Sequence, residues 1–319
     1  MNRPTTVASL DEVGPLGSSL HLAIGMFDGV HLGHQAVIDA ARQSARRTWG
    51  VSGVLTFDPH PSRLFHPEDP TLLLMPVHMK ASFLHYQGID LVINQRFDAA
   101  FAAFEAEAFP VMLKEKLPDL ASIYIGENFR FGKGRKGDVT ELIRVCTQMG
   151  IHVFSIERLK QNGEPVSSTR IRNELLAARM ENVNRLLGYT YRSEGVVQKG
   201  QRLGRKIGFP TLNLLWEPEL KPCFGVYAVR AKGPNDDNWL PGVANYGVRP
   251  TVMQTRAKQP LLEVHLFDTP QQDVGDDLYV EWFHFIRPEH TFATLEELKL
   301  QITKDKNRAR ELLEPVDKS

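Results

Sequence analysis

Two histidines three residues apart lie in the stretch Gly25-Met26-Phe27-Asp28-Gly29-Val30-His31-Leu32-Gly33-His34, between a strand-like and a helix-like pattern. In a first helical turn His31 and His34 share a face. That turn also carries unpaired N–H groups and the positive end of the helix dipole, a natural seat for phosphate. Gly33 allows a nucleotide close to the backbone. Two histidines at this spacing, flanked by three glycines at a strand end, point to phosphate binding rather than to isolated structural imidazoles. Preorganised there, they would stabilise charge developing on a phosphoryl group, worth about 3 kcal/mol or more. Asp28, beside Gly29, is equally suited to a turn.

Three further segments of the first half bear on the same chemistry. Ser167-Ser168-Thr169-Arg170-Ile171-Arg172 precedes a helix. It reads either as an N-cap with two solvated arginines or as a triphosphate clamp. Its place after the fifth strand, facing the histidines, favours the clamp. Gly126-Glu127-Asn128-Phe129-Arg130-Phe131-Gly132-Lys133-Gly134-Arg135-Lys136-Gly137-Asp138 holds four glycines and four cations. It suits a mobile loop over a nucleotide, with a solvated basic turn as the alternative. Thr56-Phe57-Asp58-Pro59-His60-Pro61 ends the second strand, and its prolines could aim Asp58 and His60 into the same crevice.

A different chemistry is written into the second half. In Gly204-Arg205-Lys206-Ile207-Gly208-Phe209-Pro210-Thr211-Leu212-Asn213-Leu214, Thr211 and Asn213 point the same way if the segment is extended. Their oxygens could reach one Mg²⁺, a hard cation that takes few protein ligands. Gly204 and Gly208 permit close approach of phosphates, and a bulge or turn around Pro210 is the competing reading. The strand Leu261–Phe267 alternates, with Leu262, Val264 and Leu266 on one face and Glu263 and His265 on the other. Such a polar face is ordinarily solvated. A carboxylate approaching the Mg·ATP segment across a barrel would, however, serve as base for a hydroxyl nucleophile.

The elements that position these residues change character near residue 190. The first part alternates strands (Leu20–Ile24, Val51–Phe57, Ile89–Asn94, Ser122–Gly126, Ile151–Ile156) with helices (Gln35–Arg46, Leu72–Tyr86, Phe97–Lys116, Val139–Met149). Such alternation implies an α/β domain with a parallel sheet and ligands beyond the C-terminal strand ends, where every motif above falls. After Tyr189, strands at Gly195–Gln198, Gly225–Ala231, Leu261–Phe267 and Leu278–Ile286 follow one another without helices, predicting an all-β antiparallel barrel or sandwich. A final helix opens on the capping box Thr294-Leu295-Glu296-Glu297. The division is expected after a helix over Arg172–Leu187, giving domains 1–188 and 189–319.

Composition narrows the partners. The 319 residues hold 38 Lys+Arg and 38 Asp+Glu, and zero net charge argues against nucleic acid or an anionic membrane held by bulk electrostatics. No apolar run approaches the roughly 18 residues that span a bilayer, and Met1–Val13 has no signal-peptide character, so a cytoplasmic protein is expected. Cys146 and Cys223 fit neither a disulfide framework nor a metal site and read as buried or half-buried thiols.

From about Leu20 to the last helix, the chain resembles the prokaryotic bifunctional riboflavin kinase/FAD synthetase family. The resemblance rests on GMFDGVHLGH, FDPHP, GENFRFGKGRKGD and SSTRIR in the first half, and on GRKIGFPTLNL, GVYAVR, GVANYGVRPT, LLEVHLF and FIRPE in the second. The His-x-Gly-His pair alone would indicate only the broader nucleotidyltransferase superfamily. The family implies a Rossmann-like nucleotidyltransferase sheet, then a six-stranded antiparallel riboflavin kinase barrel whose terminal helix covers the flavin. It implies phosphorylation of riboflavin to FMN and adenylylation of FMN to FAD, each with ATP and Mg²⁺, with flavins as substrates and products rather than prosthetic groups. A monomer or weak homo-oligomer is expected.

Carried over by position, His31 and His34 are catalytic phosphate binders, and Gly25, Phe27, Asp28, Gly33, Ser168, Thr169 and Arg172 line the adenylyltransferase ATP. Asn128, Phe57, Pro59 and His60 meet its flavin. In the kinase, Gly204, Lys206, Gly208 and Pro210 meet ATP, Thr211 and Asn213 the metal, and Glu263 is the base. Asn245 and Arg249 lie in a recognisable stretch without individual roles. Met26 stands where many members carry Asn, Phe104-Glu105 replaces a commoner Leu-Ser, and Gly195–Gly204 is less glycine-rich than usual. Two other readings compete. An adenylyltransferase whose second domain only binds substrate would leave the Pro-Thr-x-Asn segment and the strand glutamate without a task. A flavin sensor or RNA-associated regulator is opposed by the zero net charge and the intact histidines.

Overall fold

The structure, a computed structural model, describes residues 4–200, 203–248, 260–268 and 270–314, with the side chains of Leu203, Lys206 and Val248 excepted. The chain packs as two compact units, Met1–Ser168 and Thr169–Ser319.

In chain order the first unit contains β1 (Thr5–Val7), β2 (Leu20–Ile24), α1 (Leu32–Thr48), β3 (Val51–Asp58), α2 (Ser62–Phe65), α3 (Val77–Tyr86) and β4 (Leu91–Arg96). There follow α4 (Ala99–Ala102), α5 (Ala108–Lys116), β5 (Leu120–Gly126), α6 (Val139–Gln148), β6 (His152–Ile156) and a small β7–β8 hairpin (Lys160–Gln161, Glu164–Pro165). Six strands form a parallel sheet in the order β1-β4-β3-β2-β5-β6. All five residues of β2 are buried, as expected of a central strand covered on both faces. From β2 the chain moves outward through β3 and β4, then crosses back to β5 on the other side. The order therefore reverses at β2/β5, and a crevice opens beyond their C-terminal ends.

α7 (Ser168–Leu176) begins on the last residue of the first unit, and the second unit carries the rest of it with α8 (Met180–Leu187), β9 (Arg192–Gln198), α9 (Leu203–Lys206), β10 (Leu212–Leu215), β11 (Gly225–Lys232), β12 (Leu240–Val248), β13 (Pro260–Leu266), β14 (Asp277–Arg287) and α10 (Leu295–Leu313). The strands close into an antiparallel barrel in the order β10-β13-β12-β11-β14-β9, which settles barrel against sandwich. Trp282, Tyr227 and Tyr246 fill its interior in edge-on contacts, and Trp282 Nε1 donates to Ser193 Oγ at 2.9 Å. On the outer wall Val226, Ala228 and Val243 pack against Ala309 and Leu313 of α10. Half of the capping box is formed: Thr294 Oγ1 accepts from Glu297 N, while the Glu297 carboxylate accepts from Ala293 N, one residue before the cap.

Several expected boundaries shift for local reasons. The helix expected over Leu72–Tyr86 begins only at Val77, behind Pro76, whose extended backbone cannot continue a helix backwards. The single helix expected over Phe97–Lys116 is two: Asp98 caps a short first one, and α5 starts anew at Ala108. The helix expected over Arg172–Leu187 begins at Ser168 and breaks around Ala178, which takes φ 58°. In α8, Asn184 bridges the barrel, donating to the Trp282 carbonyl and accepting from Tyr191 N, both at 2.8 Å. Both cysteines are free thiols, Cys146 buried and Cys223 half-buried.

Candidate functional site

The first cluster of candidate residues lies at the sheet's reversal point. His31 is the N-cap of α1, and its Nδ1 accepts from His34 N at 3.3 Å. The two imidazoles stack with centroids 3.6 Å apart and planes 17° apart, while Phe27 meets His34 edge-on. The spacing read in the sequence thus yields a paired imidazole face at a helix N-terminus, where anions are favoured. The loop beneath takes positive φ at Phe27 (49°), Gly29 (74°) and Val30 (34°), a conformation that a β-branched residue adopts only when its surroundings impose it.

Individual members of the loop divide between contact and support. Phe27 is buried, and its ring lies against Gly25, where a Cβ would press on it. A Cβ on Gly33 would meet the His31 ring at 3.2 Å and the Val166 carbonyl at 3.4 Å, so protein atoms occupy the room this glycine makes. The buried Asp28 carboxylate accepts from Leu74 N at 3.0 Å, a long-range tie rather than a local turn bond. Ser168 Oγ donates to the Asp28 carbonyl at 3.0 Å, tying the Ser-Ser-Thr-Arg segment to this loop. Thr169, Arg170 and Arg172 continue along α7 in the second compact unit.

Beside this loop opens a cavity of about 580 Å³ lined by Gly25, Phe57, His60 and Asn128 together with Phe97, Phe101, Phe104, Phe129 and Phe131. Pro59 is not among the lining residues; Pro61 is. The rings of Phe57, Phe97 and Phe101 contact one another at 5.5–5.9 Å. Sequence reasoning found Phe57, His60 and Asn128 but not the phenylalanines of residues 97–104. They fall within a helix pattern, although three phenylalanines in that span were the available signal. Asn128, with its carbonyl oxygen towards Arg158, accepts from Nη2 at 2.7 Å, and Arg158 was also missed. The glycine-rich loop read as mobile is anchored here. Phe131 and Gly137 exchange backbone hydrogen bonds, and Lys133 N donates to the Phe104 carbonyl at 2.7 Å.

The second site lies on the outer wall of the barrel under α10. Register places Asn213 of β10 directly opposite Glu263 of β13, and Glu263 opposite Asn245 of β12. Glu263 therefore does not reach across a barrel, as the sequence suggested: its strand is the immediate neighbour of the Thr-x-Asn strand. The face is not simply solvated either. Thr211, Asn213, Asn245, Glu263 and His265 line a cleft of about 420 Å³, with Arg287 and Asp305 at its far wall.

Local packing fixes the segment before β10. Phe209 N donates to the Gly204 carbonyl at 2.8 Å, and a Cβ on Gly204 would strike the Phe209 carbonyl. Gly208 has φ 90°, so both glycines serve the tight turn as well as any phosphate. His265 Nδ1 lies 2.8 Å from the Pro210 carbonyl, which can only accept, so this nitrogen carries the proton. Burial, assisted by Lys306 and Arg310, lowers the His265 pKa and keeps the ring neutral. Arg287 grips the buried Asp305 carboxylate with Nε and Nη2 at 2.8–3.0 Å, fastening α10 to β14. His265, Arg287 and Asp305 were not named as site residues. The side chain of Lys206, and Arg249, lie outside the described residues. Among the described residues, no helix is long and apolar enough to cross a membrane.

Comparison with known proteins agrees with this division. A family model described as FAD synthetase matches residues 17–170, and one described as riboflavin kinase matches residues 187–313. The chain is 38% identical to the bifunctional riboflavin kinase/FMN adenylyltransferase of Escherichia coli K12, covering 91% of each. It is 35% identical to the protein of that name from Bacillus subtilis, covering 90% of each. A crystal structure titled macrolide-efflux protein, from Streptococcus pneumoniae, superposes with TM-score 0.85 at 25% identity, covering 96% of this chain and 98% of that one.

Proposed function

This chain belongs to the bifunctional riboflavin kinase/FMN adenylyltransferase family, and from that premise we propose which residues carry each of its two reactions. It phosphorylates riboflavin with ATP, giving FMN and ADP, and adenylylates FMN with ATP, giving FAD and pyrophosphate.

In the kinase reaction the nucleophile is a primary alcohol, which gains from losing its proton as it attacks. Glu263, with Asn213 and Asn245 opposite it on the two neighbouring strands, is the base that takes this proton. This strand-to-strand register is the observation that carries the reading. Thr211, Asn213 and Glu263 present oxygen donors only, the set a hard divalent ion prefers, and Thr211 with Asn213 would hold Mg²⁺ arriving with ATP. When bound, the ion neutralises charge on the triphosphate. His265 keeps Pro210, and so Thr211, in place through its Nδ1 proton. The Arg287–Asp305 pair keeps α10 over the cleft.

In the adenylyl transfer the nucleophile is the FMN phosphate, already anionic, so the site needs placement and charge neutralisation rather than a base. The stacked His31 and His34 meet the phosphates of ATP, with the N-terminal amides of α1 behind them. The phenylalanine-lined cavity takes the isoalloxazine, a flat aromatic body that offset and edge-on rings accommodate. Asn128 and His60 stand at its polar rim. Ser168 fixes the loop through the Asp28 carbonyl.

The functional boundary is read between 188 and 189, close to residue 187 where the riboflavin kinase match begins, whereas the compact units divide at 168/169. The enzyme is read as cytoplasmic and as a monomer or weak homo-oligomer. Purified protein given riboflavin and Mg·ATP is expected to yield FMN and then FAD on chromatography. Absence of both flavins removes the assignment, and FMN without FAD removes its adenylyltransferase half.

A further inference from the structure

Beneath the histidine loop lies a buried ammonium that none of these roles uses. Lys80 of α3 is 5% exposed. Its Nζ donates to the Met26 carbonyl at 3.1 Å and to Thr56 Oγ1 at 2.8 Å. The Thr56 hydroxyl donates in turn to the same carbonyl at 2.9 Å. These three groups close a triangle that joins the turn after β2 to the end of β3. Met26 immediately precedes Phe27, the first of three positive-φ residues between Phe27 and Val30, so the clamped carbonyl is the one on which the strained turn begins.

The hydrogen bonds alone do not explain the charge. Both partners of Lys80 are neutral oxygens, which an uncharged donor would satisfy, and a buried cation is costly unless opposite charge offsets it. The offset comes from Asp28 and Asp58, the two carboxylates whose fields favour the charged ammonium. Burial nonetheless pulls its pKa down to about 8, which leaves it mostly cationic at neutral pH. Asp28 and Asp58 lie at the C-terminal ends of β2 and β3, beside the place where a polyanionic triphosphate must enter. Uncompensated, they would repel it.

We propose that Lys80 is a positioning residue of the adenylyltransferase site: it clamps the Met26–Val30 turn and cancels the field of Asp28 and Asp58, so that the triphosphate of ATP can be seated on His31 and His34. The inference rests on the reading that phosphates bind at that histidine pair.

Lys80→Met tests it, because methionine keeps an unbranched apolar stem and the Thr56–Met26 hydrogen bond survives. The KM for ATP in FMN-to-FAD conversion is expected to rise about tenfold or more, the effect of one unit charge acting over several ångströms. Riboflavin phosphorylation in the same preparation is expected to stay unchanged, and a native far-UV circular dichroism spectrum certifies that the first unit is folded. Asp58→Asn in the same chain is expected to recover much of the loss, and Asp58→Asn alone to lower the ATP KM about two- to fivefold. The single Asp58 variant keeps the test open should Lys80→Met not fold. A KM for ATP unchanged in Lys80→Met, a rise that Asp58→Asn does not relieve, or an Asp58→Asn KM no lower than native overturns the inference. A native protein that phosphorylates riboflavin but makes no FAD overturns the underlying reading instead.

Discussion

The two proposed sites would meet the same reagent, ATP, with different architecture. In the first unit the functional groups sit on loops beyond parallel strands, and their placement depends on a left-handed turn, a helix N-terminus and buried support from Asp28 and Lys80. In the second they stand on neighbouring antiparallel strands, and backbone register alone lines up Asn213, Glu263 and Asn245. The difference follows the nucleophile. An anionic phosphate needs its charge surrounded, which loops and helix ends do well. An alcohol needs a base at a fixed distance, which a strand ladder holds firmly.

That contrast predicts which changes break which reaction. Glu263→Ala is expected to cost riboflavin phosphorylation about 10³-fold or more, as for loss of a general base. FMN-to-FAD conversion in the same sample is expected to persist. His31→Ala with His34→Ala is expected to do the converse, slowing adenylyl transfer about 10²- to 10³-fold and letting FMN accumulate. Either variant stopping both reactions in a folded protein would merge the two sites into one.

Support residues give smaller effects, read as stability. Asp305→Ala strands the Arg287 guanidinium, and because Asp305 is only 4% exposed the second unit is expected to lose about 3 kcal/mol in urea unfolding. Kinase activity is expected to fall with it as α10 loosens. In the first unit, Lys80 has a pKa near 8 against 10.5 when exposed. Between those values the unfolded chain binds more protons than the folded one, so stability rises with pH across that window. The gain is about 3 kcal/mol at most. Hydrogen exchange of β2 and β3 amides is expected to slow, relative to the intrinsic rate, as pH climbs from 8 to 10.5. Lys80→Met is expected to flatten that slope.

What could be read from the sequence was what periodicity and short-range chemistry encode. The histidine spacing specified the stacked pair, alternation in Leu261–Leu266 separated core from cleft, and Thr294 with Glu297 marked the start of α10. What escaped depends on contacts between distant segments. Lys80 reads as one more surface lysine of α3 until the ends of β2 and β3 close over it. The strand Leu240–Val248 holds Pro241, Gly242, Asn245 and Gly247, residues of low strand propensity, and pairing on both sides overrides that preference. The aromatic cavity is assembled from β3, the segment around α4 and the loop after β5, and no single stretch announces it.

Each unit is expected to hold its own seat for ATP. Calorimetric titration of the Mg²⁺-loaded protein with a non-hydrolysable ATP analogue measures this directly. The expected result is two equivalents per chain, reduced to one by His31→Ala with His34→Ala. A single equivalent in the native protein, or two that the histidine change leaves untouched, would contradict it.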